Sequence, residues 1–444
     1  MQEYKHSVSL DIDKCCGCTT CLKRCPTEAI RIRGGHAKIN SERCIDCGEC
    51  IKVCPHKAKK ATHDELDDMK EYKINVALPA PALYGQFENM TSIDYVVDGL
   101  YRLGFDYVYE VACAAEIVSA YTRMYLSRKD IIRPVISSAC PAVVRMINMN
   151  FPYLKDHIMP ILPPIEIAAK NARDIVKERH PDVDPSDIGL FFISPCPAKV
   201  SYVKNGFAGD RNNIDRVISV RDVYFKLIDV MKRDDNPERS AKSGMIGIGW
   251  ASTGGESSAV FNDRYLAADG IENCVRVLEQ IENEGFADLE FIELNACNGG
   301  CVGGAMTVTN AYIAQARLNS LKRYLPVSPN RPSTNDIPEW AFTDESVVYD
   351  TTKPLSEDRA EAFRMMNDIE RITASLPGID CGSCGAPTCM AFAEDIVKNE
   401  TNADECTIIM RELFHECLDM RKAKIISDKI TGKDGAEDGG NRSI

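Results

Sequence analysis

The sequence predicts an α/β body built on a mostly parallel sheet, with a cysteine-dense segment at each end. Three observations carry this. From residue 72 to about 325, short apolar runs alternate with stretches of helical period, the pattern of βαβ units whose sheet is covered on both faces. Nine of the 20 cysteines fall within residues 1–63, and four more lie between 381 and 406. At 444 residues the chain is too long for one ordinary domain. With 44% hydrophobic and 27% charged residues it is a globular composition, and no run of about 18 apolar residues could cross a bilayer. A net charge of -13 works against nucleic acid and anionic membrane as partners. The first residues, MQEYKHSVSLDIDK, lack the apolar stretch of a secretory signal, so a cytoplasmic location is expected. Thiols stay reduced there, and tight spacings then point to metal rather than disulfides.

Residues 1–65 contain an internal repeat. Cys15, Cys18, Cys21 and Cys25 before Pro26 recur as Cys44, Cys47, Cys50 and Cys54 before Pro55. Both read C-x2-C-x2-C-x3-C-P, the spacing of two-cluster bacterial ferredoxins, in which the fourth cysteine of each run ligates the other cluster. The expectation is one 4Fe-4S cluster on Cys15, Cys18, Cys21 and Cys54 and a second on Cys44, Cys47, Cys50 and Cys25, in an α+β ferredoxin domain. A zinc ribbon is the alternative, but zinc sites usually separate two C-x2-C pairs rather than placing three cysteines in seven residues. Cys16 is left over and reads as a small buried residue. Residues 1–63 carry 12 Lys or Arg against 7 Asp or Glu. Lys52, Lys57, Lys59 and Lys60 form a basic run, either a solvated face or a patch that steers an acidic electron carrier.

In the body, strands are expected at Ile74 to Leu78, Tyr107 to Val111, Pro134 to Ile136, Ile188 to Ile193, Met245 to Ile248 and Leu289 to Leu294. Helices are expected at Ile117 to Leu126, Ala142 to Met149, Ile165 to Val176 and Tyr312 to Leu321. Ligands in such sheets sit beyond the carboxyl ends of the strands. Three strand ends run into cysteines: SSAC with Cys140, SPCPAK with Cys196, and NACNGGCVGG with Cys297 and Cys301. Four thiolates converging from three strands suit a further 4Fe-4S cube, with a buried cysteine at each place as the plainer reading. Gly299, Gly300, Gly303 and Gly304 would let backbone approach a bulky cofactor. Cys113 and Cys274 read as small core residues, although Cys113, ahead of a helix near the expected site, could relay a proton.

These segments resemble the three active-site motifs of FeFe hydrogenases, which in the family read T-S-C-C-P-x-W, M-P-C-x-x-K and E-x-M-A-C-x-x-G-C-x-x-G-G-G. Here they stand as Ser137-Ser138-Ala139-Cys140-Pro141-Ala142-Val143, as Ser194-Pro195-Cys196-Pro197-Ala198-Lys199, and from Glu293 through Asn295, Cys297 and Cys301 to Ala305. Thr253-Gly254-Gly255 looks like a further family segment. The resemblance implies a two-lobed parallel-sheet catalytic domain over 72–325. It implies that Cys140, Cys196, Cys297 and Cys301 hold the cubane of an H-cluster, that Cys301 bridges to a diiron unit bearing carbon monoxide, cyanide and azadithiolate, and that Lys199 donates to a cyanide. The reaction it implies is interconversion of hydrogen with protons and electrons.

The departures are as informative. Ala139 stands where catalytic members carry the proton-passing cysteine, and an alanine has no exchangeable proton. The helix from Glu116 to Arg123 lacks the family's paired acids. Ser194 and Asn295 replace methionines beside the diiron unit, and Val143 replaces a tryptophan. Such changes around a cluster tune its potential. They resemble the divergent, sensory branch of the family and imply slow turnover, with protons arriving by another route. Glu256 and Glu293 are the candidates, because carboxylates relay protons when burial raises their pKa; surface or capping acids are the plainer reading.

Residues 326–357, broken by prolines, read as a linker or covering segment. A mainly helical domain over 358–421 carries Cys381, Cys384, Cys389 and Cys406. Their C-x2-C-x4-C-x16-C spacing resembles a small 4Fe-4S domain of electron-transfer proteins, with zinc as the alternative. A helix is expected at Met390 to Val397. Cys417 reads as structural, and residues 422–444 as a disordered tail. The implied partners are dihydrogen and protons, a redox protein such as ferredoxin, maturation proteins that supply the diiron unit, and a signalling partner. A hydrogenase-like iron-sulfur protein serving electron transfer or cluster assembly without turnover is the alternative reading.

Overall fold

A computed structural model of the chain describes residues 5–206, 213–231, 237–283, 285–286, 288–343 and 354–431, the last six without their side chains. It has two compact units. The first comprises residues 1–16, 24–29 and 39–352, and the second residues 17–23, 30–38 and 353–444. Residues 1–65 therefore do not form a unit by themselves; the repeat contributes to both.

The body of the first unit holds two parallel sheets. In one, β5 (Ile74–Pro79) lies between β6 (Tyr107–Val108) and β8 (Ile188–Ser194), and β9 (Arg216–Ser219) extends it beyond β8. In the other, β11 (Phe291–Asn295) lies between β10 (Tyr265–Asp269) and β7 (Val135–Ile136). The four-stranded sheet is buried on both faces. Val76, Leu78, Leu190 and Phe192 enter one core cluster, and the intervening Ala77, Phe191 and Ile193 enter another. That explains why β5 and β8 are continuous apolar runs rather than alternating ones. In the smaller sheet, Phe291 and Val135 face the first core, while Ile292, Leu294 and Ile136 join a third cluster with Val143, Met146 and Leu278.

Helices Val111–Leu126, Pro141–Asn150, Pro164–Arg179 and Ala311–Lys322 contain all four predicted helical stretches. The strand expected at Met245 to Ile248 is instead the helix Met245–Gly249. A four-residue apolar run is equally a buried helical turn. Here Met245 and Ile246 donate to the carbonyls of Pro326 and Val327, which anchors the turn on the covering segment rather than on a sheet. The strand expected to reach Val111 stops at Val108, because Val111 already opens a helix. β9 and β10 were not anticipated, since their polar and alanine-rich sequences, RVIS and YLAAD, lack an apolar run.

Residues 326–343 do cover the body. Leu162 donates to the Ala341 carbonyl, Thr343 to that of Pro160, and Ile337 and Ala341 enter the core. The remainder of that segment, 344–353, lies outside the described residues. The small antiparallel pair of β1 (Val8–Leu10) and β4 (Lys59–Ala61) completes the first unit.

The second unit packs helices Arg359–Ser375 and Cys389–Val397 around Ile369, Leu376, Phe392 and Cys406. Asp358 caps the first helix by accepting from the Ala360 amide, and Thr388 caps the second by accepting from that of Ala391. The tail expected from 422 onward is helical as far as Thr431, continuing the helix that begins at Thr407. Residues 432–444 lie outside the described residues. Cys417 is exposed on that helix rather than structural. Cys16 is likewise exposed, its sulfur 3.1 Å from His56 Nε2, because the loop after the short helix Ile12–Lys14 turns it outward.

Candidate functional site

Three parallel strands deliver the inner cysteines. β8 ends at Ser194, two residues before Cys196, and β11 ends at Asn295, two before Cys297. β7 ends at Ile136 and leads to Cys140. Cys140 and Cys196 are the N-cap residues of Pro141–Asn150 and Pro197–Lys204, each helix opening on a proline that needs no amide partner. The helix N-termini favour negative charge on both sulfurs. Cys301 begins the short turn Cys301–Gly303.

The four thiols converge on one lysine. Lys199 is buried, and although burial alone would lower its pKa, the charges of Cys301, Cys196, Cys140 and Cys297 around it outweigh this and hold it above the ordinary value. Its Nζ donates to the Ala139 carbonyl at 3.0 Å. Without metal, burial pushes Cys196 up to about 11 and Cys301 up to about 12, in each case against the pull of Lys199. Four thiols crowded in such a place form a donor set that would suit a metal, since a coordinating thiol is deprotonated outright.

A cleft of about 600 Å³ adjoins Cys301, lined by Ala139, Lys199, Trp250, Glu256, Glu293 and Asn295 together with Pro163 to Ile165. Its lining offers one thiol, one ammonium, the carboxyls of Glu256 and Glu293 and the Asn295 amide among mostly apolar side chains, a donor set that would suit a compact metal complex beside the thiol quartet. The loop glycines serve the protein itself: a Cβ at Gly304 would sit 2.2 Å from the Pro195 carbonyl oxygen, so the glycine presses two cysteine loops together. Trp250 was not anticipated as a lining residue. Its indole donates to Ser119 Oγ at 2.9 Å, and its position three residues before Thr253 is the signal the sequence offered. Val143, by contrast, is fully buried in the third cluster.

Both candidate acids face this cleft. Glu256 accepts from Ser137 Oγ at 2.7 Å, and that oxygen in turn accepts from the Ala139 amide at 3.1 Å. The second Glu256 oxygen is buried with no hydrogen-bond partner among the described residues. Burial, then the charge of Glu293, pushes Glu256 up to about 8. Glu293 accepts from the amides of Gly254 (3.0 Å) and Ser257 (2.8 Å) and from Asn295 Nδ2 (2.7 Å); burial still raises its pKa. Ser194 Oγ turns away to its own loop, donating to the Cys196 carbonyl at 3.0 Å. Glu116 is a structural anchor: it accepts from the Asn330 amide at 2.9 Å and holds the covering segment. Cys113 faces Ser243 and the buried Glu110, away from the cleft lining. Cys274 is buried beneath the Asn295 carbonyl.

The second ferredoxin group lies beside the quartet. Cys47 interacts electrostatically with Cys50, Cys25 and Cys297, and Cys44 with Cys50 and Cys47, so Cys25, Cys44, Cys47 and Cys50 lie near one another. Their loop is held from two of the cysteine helices. Arg145 donates to the carbonyls of Cys44 (3.0 Å) and Glu42 (2.9 Å), and Ser201 donates to Asp46 at 2.6 Å. Gly48, at φ +76°, approaches so closely that a Cβ would sit 2.7 Å from that of Ala305. The expected basic patch is not a single face: Lys59 is 3% exposed, whereas Lys52, Lys57 and Lys60 are exposed.

In the second unit, Cys381, Cys384, Cys389 and Cys406 line one cleft of about 330 Å³. Arg31 and Arg33, from β2 (Ile30–Arg33), both donate to the buried Asp395 on the helix behind it.

The family model for the iron-only hydrogenase large subunit, C-terminal domain, matches residues 73–305, just over half of the chain. The chain belongs to that family. Models for a 4Fe-4S dicluster domain and for an Fe-S cluster segment match residues 7–55 and 376–408. The periplasmic [Fe] hydrogenase large subunit of Nitratidesulfovibrio vulgaris is 27% identical over 361 residues, covering 67% of this chain and 86% of the relative. An uncharacterised protein of Methanocaldococcus jannaschii is 37% identical over 68 residues, or 15% of this chain and 29% of that protein. Among solved structures, an apo [FeFe]-hydrogenase of Chlamydomonas reinhardtii in a cysteine-to-histidine variant is similar at TM-score 0.44 and 18% identity, covering 61% of this chain and 90% of that one.

Proposed function

We propose that this chain interconverts dihydrogen with protons and electrons at an H-cluster, slowly, in a sensory or regulatory role. The supporting observation is the convergence of Cys140, Cys196, Cys297 and Cys301 on Lys199, beside a cleft that Cys301 and Lys199 share. When bound, the H-cluster supplies heterolytic cleavage of hydrogen. The four thiolates would hold its cubane, and Lys199 would offer an ammonium to a cyanide. Ala139 cannot pass a proton, so a nearby pair of exchangeable groups would take over: Ser137, whose hydroxyl already meets Glu256, and then Glu256, which burial keeps protonated near neutrality. Glu293, tied by two backbone amides, suits a fixed second station. Trp250 and the proline-rich wall restrict water.

Electrons would pass through the cluster on Cys25, Cys44, Cys47 and Cys50. A first ferredoxin cluster on Cys15, Cys18, Cys21 and Cys54 is proposed from the repeat, and a fourth cluster from the cleft that Cys381, Cys384, Cys389 and Cys406 share. A ferredoxin-like carrier, maturation proteins and a signalling partner are the proposed associates, in the cytoplasm; no helix among the described residues is long and apolar enough to cross a membrane.

Ala139 favours one competing reading, an iron-sulfur protein without turnover. Infrared spectra after in vitro maturation decide between them. Carbonyl and cyanide bands together with exchange of deuterium gas into water support the hydrogenase; a loaded protein without bands or exchange leaves only a relay of clusters.

A further inference from the structure

We propose that the helix Thr407–Thr431 is an interaction surface for a second copy of this chain, the two helices pairing as a short, parallel, two-stranded coiled coil. What carries this is an apolar stripe at heptad spacing on a helix that stands clear of its own unit. The inference is independent of what the inner quartet binds.

The helix is anchored only at its start. Ile408 and Ile409 pack against the core around Phe392 and Cys406, but from Arg411 to Ile425 every residue except the half-buried Leu418 is exposed. Helices in proteins draw most of their stability from packing an amphipathic face, and among the described residues nothing covers this one. Its large apolar side chains are not scattered. Met410, Leu413, Phe414 and Met420 are 46%, 50%, 62% and 66% exposed. Met410, Leu413, Cys417 and Met420 fall at successive a and d positions of a heptad repeat, with Phe414 beside them at e. The c and f positions, on the far side, are Glu412, His415, Asp419 and Lys422, all polar, and Lys422 reaches Asp419 at 3.6 Å.

Charge selects a second copy as the occupant and sets its direction. In a parallel pair, the g residue of one heptad faces the e residue of the next heptad on the other strand. Ile409 then meets Phe414 of the second copy, and Glu416 meets its Arg421, each contact made twice by symmetry. The face is thus complementary to itself. An antiparallel pair sets e against e and g against g, which separates Glu416 from Arg421. A single lysine at an a position, here Lys424, lowers stability but specifies register and strand number, so a weak dimer is expected. Because Thr407 directly follows Cys406, a parallel pair sets both C-terminal clefts at one end of the seam.

The test is sedimentation of the full chain, purified anaerobically under reducing conditions, at about 100 µM. A two-chain mass is expected. Leu413→Glu combined with Met420→Glu should return a one-chain mass at unchanged iron content. Glu416→Arg alone should weaken the dimer about tenfold, and adding Arg421→Glu should restore it. Equivalent a residues face each other across a parallel seam, so brief oxidation with diamide should link two chains through Cys417. That link should be lost in Cys417→Ser and retained in Cys16→Ser. A one-chain mass for the unsubstituted protein overturns the inference and leaves the stripe to a different protein. A dimer that survives both glutamates overturns it as well, as does a link that persists in Cys417→Ser. Failure of the double charge reversal to restore the dimer overturns the parallel register.

Discussion

The two four-cysteine groups would meet the same ligation need in different surroundings. In the inner quartet, Cys196 and Cys301 lie where burial pushes their pKa far up and only Lys199 pulls back. In the C-terminal cleft, hydrogen bonds from the Ser383 amide and hydroxyl hold Cys381 below the ordinary thiol value, while burial raises Cys384. The inner site is thus organised to exclude water and to release its thiol protons only to metal. In the outer one, the Ser383 hydrogen bonds favour the thiolate of Cys381. A cluster that must do chemistry belongs in the first environment, and a cluster that passes electrons tolerates the second.

The sharpest way to break this contrast is to remove one ligand from each cleft. Cys301→Ala should abolish the carbonyl and cyanide infrared bands, because that thiol stands where the quartet meets the adjoining cleft. Cys381→Ser should leave those bands intact and cost one cluster's worth of iron. Bands surviving in Cys301→Ala would mean that the diiron unit is held elsewhere.

Next comes the proton path, which only the inner cleft needs. Glu256→Gln keeps the shape but removes the exchangeable acid, and hydrogen oxidation should fall by about 100-fold, within the range of a lost general acid-base group. The same substitution has a pH signature. The folded protein retains a proton on Glu256 up to about 8, while the unfolded chain loses it in the ordinary carboxyl range. Stability therefore declines as pH rises through that window. In Glu256→Gln, thermal melts between pH 5 and 8.5 should show a flatter decline, and an unchanged slope would place the acid in water.

A smaller effect is expected behind the outer cleft. Asp395 is 3% exposed and accepts from Arg31 at 2.7 and 2.9 Å as well as from Arg33. Asp395→Ala strands two partly buried guanidinium groups and should destabilise the second unit by about 3 kcal/mol. Denaturant unfolding followed by the C-terminal cluster's absorbance checks this, with the inner cluster's loss midpoint as the internal reference.

The sequence made these sites legible to different depths. Cysteine spacing is local, so the two ferredoxin runs and the C-terminal quartet could be read directly. The inner quartet needed strand ends: β5 and β8 were readable because burial on both faces writes them as largely apolar runs, and β11 because Phe291, Ile292 and Leu294 cluster in a short stretch. β10 and β9 lack such runs and were invisible, as was the helical state of Met245–Gly249, where four apolar residues fit either geometry. Lys59 shows the remaining limit most plainly. In sequence it belongs to a run of lysines, and only tertiary placement separates it, buried in β4, from the exposed Lys57 and Lys60.

The smallest expected difference concerns the metal-free protein and sharpens the comparison thiol by thiol. Thiolate, not thiol, attacks an alkylating reagent. Cys381 is partly exposed, and its lowered pKa increases its thiolate fraction near neutral pH, whereas Cys196 and Cys301 remain protonated until strongly alkaline pH. Brief iodoacetamide treatment at pH 7.5, followed by peptide mapping, should therefore label Cys381 severalfold faster than either inner cysteine. Ser383→Ala, by removing one of the bonds that stabilise the thiolate, should narrow the gap. If Cys196 and Cys301 react as fast as Cys381 in folded chain, the inner quartet is open to water, and the division between a dry reactive site and a wet relay site fails at its chemical root.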